Sequence, residues 1–182
     1  MCRIGGTTAQ NDLRQRCAAE VYNPTHTPWA AIREDILRIE RAAFGVQAFS
    51  EGILRRDFTD VDSIVILLRD TEIGKIVGFT YAEPGGYGAA DDTDEDQKTA
   101  YINDTVLDPH YRGQQLVGVM MSLLERELIA RGYAYLERDA VVANRYAANI
   151  QKVYGSRIVT STPHDSIYGP QVFFRIRLDD DV

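Results

Sequence analysis

The stretch Tyr101-Ile102-Asn103-Asp104-Thr105-Val106-Leu107-Asp108-Pro109-His110-Tyr111-Arg112-Gly113-Gln114-Gln115-Leu116-Val117-Gly118 decides the fold. From Ala100 to Leu107 it reads as a strand, closed by Asp108-Pro109 because proline cannot donate to a ladder. After Arg112-Gly113, the residues Leu116, Val119, Met120, Leu123, Leu124 and Leu128 make one apolar stripe that stops at Ala130-Arg131-Gly132. That is an amphipathic helix with a glycine stop. Tyr133 to about Val142 then reads as a second strand. Strand, tight loop, helix and strand imply a parallel pair joined by a right-handed crossover, and ligands collect at the carboxyl ends of such strands.

The loop Tyr111 to Gly118 places backbone N–H groups at a helix start. Unsatisfied donors and the helix dipole favour a phosphate or pyrophosphate there. Many strand-to-helix turns use glycine without binding anything, so the loop by itself is equally a structural turn.

Outward from this unit, the N-terminal side alternates helical and extended patterns. Residues 1–15 show no periodicity and read as an arm, and Cys17 to Tyr22 as an opening strand. Beyond Pro28, Ile32, Ile36, Ile39, Ala43 and Phe44 recur at helical spacing, with Arg33, Glu34, Asp35, Arg38, Glu40 and Arg41 between them. Ser50 is placed to cap a short second helix ending before Thr59. Ser63 to Leu68 and Lys75 to Tyr81 form a β-hairpin across Asp70-Thr71-Glu72-Ile73-Gly74. Pro84-Gly85-Gly86 stops the second of these strands, and Asp91, Asp92, Asp94, Glu95 and Asp96 make the following loop acidic. On the C-terminal side, Asn144 to Tyr154 reads as a short helix ended by Gly155. Two strands, Arg157 to Ser161 and Gln171 to Leu178, follow.

At 182 residues the chain is read as an arm, residues 1–27, that includes the possible first strand, followed by one domain over residues 28–182. Twenty Lys and Arg against 27 Asp and Glu give a net charge of -7, which disfavours nucleic acid and favours cationic partners. No apolar run approaches the roughly 20 residues of a membrane helix, and no secretory leader opens the chain, so a cytoplasmic protein without a membrane partner is expected. Cys2 and Cys17 are expected as reduced thiols. His26, His110 and His164 form no metal pattern, and no metal is expected. Whether the chain pairs as a homodimer stays open.

Leu107-Asp108-Pro109-His110-Tyr111-Arg112-Gly113-Gln114 and the apolar helix after it resemble the acyl-CoA loop of the GNAT superfamily of N-acetyltransferases. The early helix with Ile39 to Phe44, the hairpin with Ile76-Val77-Gly78-Phe79, the Tyr101 to Leu107 strand, and Asn144 with Ala147 follow in that family's order, over roughly residues 28–178. The resemblance implies a mixed α/β fold: a mostly antiparallel central sheet with one splayed parallel pair, flanked by helices. It also implies acetyl-CoA as co-substrate, a primary amine, small molecule or peptide, as acceptor, and direct attack in a ternary complex. Coenzyme contacts would come from Val106, Leu107, Arg112, Gly113, Gln114, Gln115, Leu116, Val117, Gly118, Asn144 and Ala147.

Three departures stand out. The family loop reads Arg or Gln, two residues, Gly, any residue, Gly or Ala; here Arg112 fits, Gln115 and Val117 occupy the small positions, and Gly118 falls one place late. Tyr101-Ile102-Asn103-Asp104 resembles the Tyr-Leu-Glu-Asp stretch of diamine and polyamine acetyltransferases, where the Glu is the proposed base; Asn103 stands in its place and cannot take up a proton. Asp104 and Asp139 are the substitutes to consider, Asp104 turned to the other face by strand alternation and Asp139 open to a salt bridge with Arg138 or Arg145 instead. The Tyr that protonates the leaving thiolate is Gln151 here, leaving Tyr154, one turn on, or water. With both catalytic side chains replaced, a non-catalytic acyl-CoA-binding or regulatory module is the main alternative. A nucleotide-phosphate protein is weaker, because neither a Walker loop nor a dinucleotide fingerprint is present.

Overall fold

A computed structural model describes residues 13–85 and 98–178. Its elements are β1 (Cys17–Val21), α1 (Trp29–Phe44), α2 (Glu51–Thr59), β2 (Ile64–Asp70), β3 (Lys75–Pro84), β4 (Lys98–Leu107), α3 (Leu116–Ala130), β5 (Tyr133–Val141), α4 (Tyr146–Tyr154), β6 (Ile158–Ser166) and β7 (Gly169–Arg177). The strands hydrogen-bond in the order β1-β2-β3-β4-β5-β7-β6. β1–β2, β5–β7 and β6–β7 are antiparallel and β4–β5 is the parallel pair, so the mixed α/β sheet flanked by helices is observed. The chain divides into two compact units within β3 and β4: residues 1–81 with 104–124, and residues 82–103 with 125–182.

In the first unit the core gathers on Phe58 of α2, which is 1% exposed. Its ring lies 5.5 Å from Trp29 and 5.4 Å from both Phe79 and Tyr81, all tilted or edge-on. Ile32, Ile36 and Ile39 of α1 join the same core, as their helical spacing requires. Ser50 caps α2, its hydroxyl accepting from Ile53 N–H, an interaction contributing about 1 kcal/mol. The helix runs through Thr59 rather than stopping before it. The Thr59 hydroxyl donates to the Arg55 carbonyl at 2.8 Å and satisfies one terminal acceptor of the last turn.

Gly78 sits where β3 passes the end of β4. An added Cβ would meet Val106 O at 3.0 Å and Leu107 Cδ1 at 2.8 Å, so only glycine permits this approach. At the start of β1, burial pushes the Cys17 thiol pKa up and keeps it protonated.

In the second unit β7 bridges β5 and β6. The final hairpin is longer and tighter than its apolar pattern suggests, with β6 extending to Ser166 and a turn at Ile167-Tyr168. Pro163, His164 and Asp165 hide this strand from a reading of apolar alternation. β6 is the sheet edge, where neither a core-facing stripe nor every ladder N–H is required. The acidic stretch from Asp91 to Asp96, the thiol Cys2 and residues 1–12 of the expected arm lie outside the described residues.

Candidate active site

Within the first unit, β4 ends at Leu107 and the chain enters a short 3-10 turn, Pro109–Tyr111, before α3. Two buried anchors hold this turn. Asp108 accepts from His110 N–H at 3.0 Å through Oδ1 and takes the Arg38 guanidinium on Oδ2. The Tyr111 hydroxyl donates at 2.6 Å to Asp70, whose side chain is 0% exposed and also takes Arg16 at 2.6 Å. Burial alone would raise the Asp70 carboxyl, but the Tyr111 and Arg16 hydrogen bonds outweigh it and hold its pKa below the ordinary 3.8. The turn is therefore fixed from two sides by charge-assisted bonds, and Arg112 Nε adds a long contact of 3.4 Å to Leu107 O.

The loop itself resolves the departure at Gln115. Gln115 adopts φ +59°, a left-handed conformation that glycine takes freely and other residues take at a cost of roughly 1–2 kcal/mol. No extra residue enters the turn: α3 begins directly after it at Leu116, with Gly118 N–H bonded to Gln115 O at 3.1 Å. Leu116 is buried and anchors the helix, while Gly113, Gln115 and Gly118 are exposed. Gly118 faces open space, so its missing Cβ answers no packing need. The N–H groups of the first α3 turn have no intrahelical acceptor and carry the positive end of the dipole. These residues fit a pyrophosphate, with the Gln115 side chain, which accepts from Arg14 at 3.3 Å, standing where glycine would leave bare backbone.

Within the second unit, the parallel ladder runs from Lys98↔Tyr133 to Tyr101↔Glu137 and stops, although β4 continues to Leu107 and β5 to Val141. Asn103 Nδ2 donates to Glu83 Oε2 at 2.8 Å, so a β3 carboxylate stands beside the position where the resembling family carries its own. Asp139 uses both oxygens: Oδ2 accepts from Tyr101 Oη and Oδ1 contacts His164 Nε2, each at 2.7 Å. Arg138 instead lies over the Tyr146 ring at 4.6 Å. The Asn144 side chain accepts from Tyr146 N–H at 2.9 Å and shapes the entry to α4, on which Ala147 is buried. Asp104, in the first unit, accepts from the Thr80 hydroxyl through its backbone carbonyl at 2.9 Å.

Tyr154 is 6% exposed and donates to Glu125 at 2.6 Å, and Arg157 bonds the other Glu125 oxygen at 3.1 Å. Burial, then the Glu125 charge and hydrogen bond, push the Tyr154 phenol far above its usual range. A proton held that firmly is a poor one to give to a thiolate, while Gln151 is exposed and carries no acid. Tyr154→Phe is expected to lower stability by about 1–3 kcal/mol, because Glu125 loses a buried donor, and to leave turnover within about threefold. A fall of tenfold or more in turnover with intact stability and coenzyme affinity would return the acid role to Tyr154.

Glu83 and His164 are the residues that sequence reasoning missed. Neither lies in a motif, and each is brought to its partner only by pairing across strands.

Residues 29–154 match the Acetyltransferase (GNAT) family. No curated protein matches the sequence. Among solved structures, Arabidopsis thaliana NAA60 in complex with acetyl-CoA superposes with a TM-score of 0.68 at 12% identity, covering 89% of this chain and 98% of that one. The ribosomal-protein-S18-alanine N-acetyltransferase of Escherichia coli gives 0.63 at 15% identity, over 91% and 98%. Aminoglycoside 6'-acetyltransferase type Ii gives 0.68 at 14% identity, over 91% and 99%. These likenesses concern the fold. The match over most of the chain, with the strand, anchored loop and helix start just described, places this protein in the GNAT acetyltransferase family.

Proposed function

We propose that this chain is an acetyl-CoA-dependent N-acetyltransferase acting on a small or peptide-borne primary amine, by direct attack within a ternary complex. The observation that carries the reading is the loop from Arg112 to Gly118. It keeps the left-handed residue and the helix start of a pyrophosphate cradle even though glutamine fills the glycine position. A non-glycine residue at positive φ is uncommon, and such strained backbone clusters at ligand-binding loops, which supports the reading.

The backbone near Val106 and Leu107 would receive the thioester carbonyl, in the manner of an oxyanion hole. The acceptor arrives as an ammonium with a reference pKa near 10.4, so a base must take its proton before the lone pair can attack. Asn103 cannot do so, and Asp139 is engaged on both oxygens. Water supplies the proton to the departing thiolate. The carboxylates of Glu83 and Asp139 suit a cationic acceptor, and diamines and polyamines belong among those tested first.

A thermal-shift panel tests the coenzyme half. Acetyl-CoA at 100 times its Kd should add about 2.7 kcal/mol of stability, whereas ATP and NAD should add none. Arg112→Glu should abolish most of that shift without altering the unliganded melting temperature, because a carboxylate would face the phosphates. No shift with any acyl-CoA at millimolar concentration rejects the reading. Thiol release in an amine screen then separates an enzyme from a binding module.

A further inference from the structure

Within the first unit, the residues just before β1 reach the loop that opens α3. Arg16 is tied at two points. Its carbonyl accepts from the Thr71 N–H and hydroxyl at 2.8 Å each, and its guanidinium bonds Asp70, which also takes the Tyr111 hydroxyl. Two residues earlier, Arg14 Nη1 donates at 3.3 Å to Gln115 Oε1, 101 positions away in the chain. One short segment thus meets the turn through Arg16 and Asp70, and the loop after it through Arg14 and Gln115.

The charges around Arg14 leave it open to an anion. Asp70 and Glu72 are both taken by Arg16, and neither Arg14 nor Arg112 pairs with a carboxylate among the described residues. Both residues are exposed. With a net charge of -7 the chain as a whole repels anions, so a ligand carrying phosphates needs cations placed locally. A guanidinium only donates, so Gln115 turns its carbonyl oxygen to Arg14 and keeps its NH₂ group to donate elsewhere. The family match begins at residue 29 and assigns no role to Arg14. Resting on the coenzyme reading above, we propose that Arg14 is a binding residue for the coenzyme pyrophosphate, with Gln115 as its positioning residue.

This assignment gives the glutamine at position 115 a purpose. Glycine there would leave the backbone N–H groups of the helix start bare for the phosphates. Glutamine covers part of that approach, and in exchange it holds a guanidinium beside the same helix start from outside the loop. A guanidinium can offer two parallel N–H groups to two phosphate oxygens, and each such charge-assisted bond is roughly twice as strong as a neutral one. The left-handed φ of +59° at Gln115 is then retained together with a side chain that anchors a cation. The end of the N-terminal segment becomes part of the coenzyme site.

Wild type, Arg14→Ala, Arg14→Glu, Gln115→Gly and the double variant Arg14→Ala with Gln115→Gly are titrated calorimetrically with acetyl-CoA and with acetyl-dephospho-CoA, which lacks the ribose phosphate. Arg14→Ala should raise the acetyl-CoA Kd about tenfold, as expected for one lost charge-assisted hydrogen bond, and Arg14→Glu should raise it further. The unliganded melting temperatures of both should match wild type, because Arg14 is exposed. The tenfold loss should recur with acetyl-dephospho-CoA, and in the Gln115→Gly background it should shrink to less than about threefold, since the anchor is already gone. Wild type that binds no acyl-CoA overturns the coenzyme reading and this assignment together. Wild-type affinity in Arg14→Ala or Arg14→Glu overturns the assignment alone. A loss seen only when the ribose phosphate is present overturns the pyrophosphate as the group bound, and an equal loss in both backgrounds overturns the role of Gln115.

Discussion

Asp70→Asn is expected to lower the unfolding free energy by about 3 kcal/mol and to weaken acetyl-CoA binding on the order of tenfold. Asp70 is wholly buried and takes Tyr111 at 2.6 Å and Arg16 at 2.6 Å. An amide keeps the shape but removes the charge, and it turns an NH₂ donor toward groups that themselves donate. Arg16 retains Glu72 at 2.5 Å, which keeps the loss at the lower end of the range for a broken buried pair. The affinity loss follows because Tyr111 is the last residue of the turn that leads into the Arg112 to Gly118 loop. Denaturant unfolding and calorimetric titration with acetyl-CoA read the two effects separately.

The sign of the pH dependence follows from the lowered Asp70 pKa. A group held below its unfolded value contributes stability above that value and loses it as the pH falls toward the folded one. The stability gap between wild type and Asp70→Asn should therefore be constant near neutrality and narrow below pH 3.8. A gap that stays level into acid, or a variant as stable as wild type, would show that the Asp70 cluster does not hold the loop.

The second large effect is in the core. Phe58→Ala is expected to cost about 4 kcal/mol, since a fully buried aromatic is removed from contact with Tyr22, Trp29, Phe79 and Tyr81 and the surrounding rings cannot all close the cavity. Edge-on pairs such as Trp29–Phe58 and Phe58–Phe79 contribute about 0.5–1.5 kcal/mol beyond their buried area. Phe58→Leu, which refills most of the space, should cost about half as much. An alanine variant losing less than about 1.5 kcal/mol would mean that α2 packs only loosely on the first unit. Acetyl-CoA binding by folded Phe58→Ala should be little changed, which separates this effect from that of Asp70.

The contrast between these sites marks how far the sequence reaches. Wherever one chain segment carries its own signal, the sequence determined the outcome. The apolar stripe from Leu116 to Leu128 and its glycine stop set α3, the Ser50 cap set the start of α2, and Asp108-Pro109 set the end of β4. These are local effects, dictated by side-chain period, capping and the missing proline N–H. The family and the strand, loop and helix unit were legible for the same reason, being contiguous from Leu107 to Gly118.

Only the tertiary structure decided what happens where segments meet. Glutamine at position 115 obscured a glycine-like turn, whose φ of +59° follows a short turn held by Asp70 through Tyr111 and by Arg38 through Asp108. The Glu83–Asn103 contact, the Tyr101–Asp139–His164 row and the Tyr154–Glu125 bond join residues 20 to 38 positions apart. Whether Asp139 meets an arginine or a histidine, and whether Tyr154 faces a thiolate or a buried carboxylate, depends on strand register and helix docking. Hydrogen-bond partners separated by that much chain are selected by pairing and burial, which no single stretch of sequence encodes.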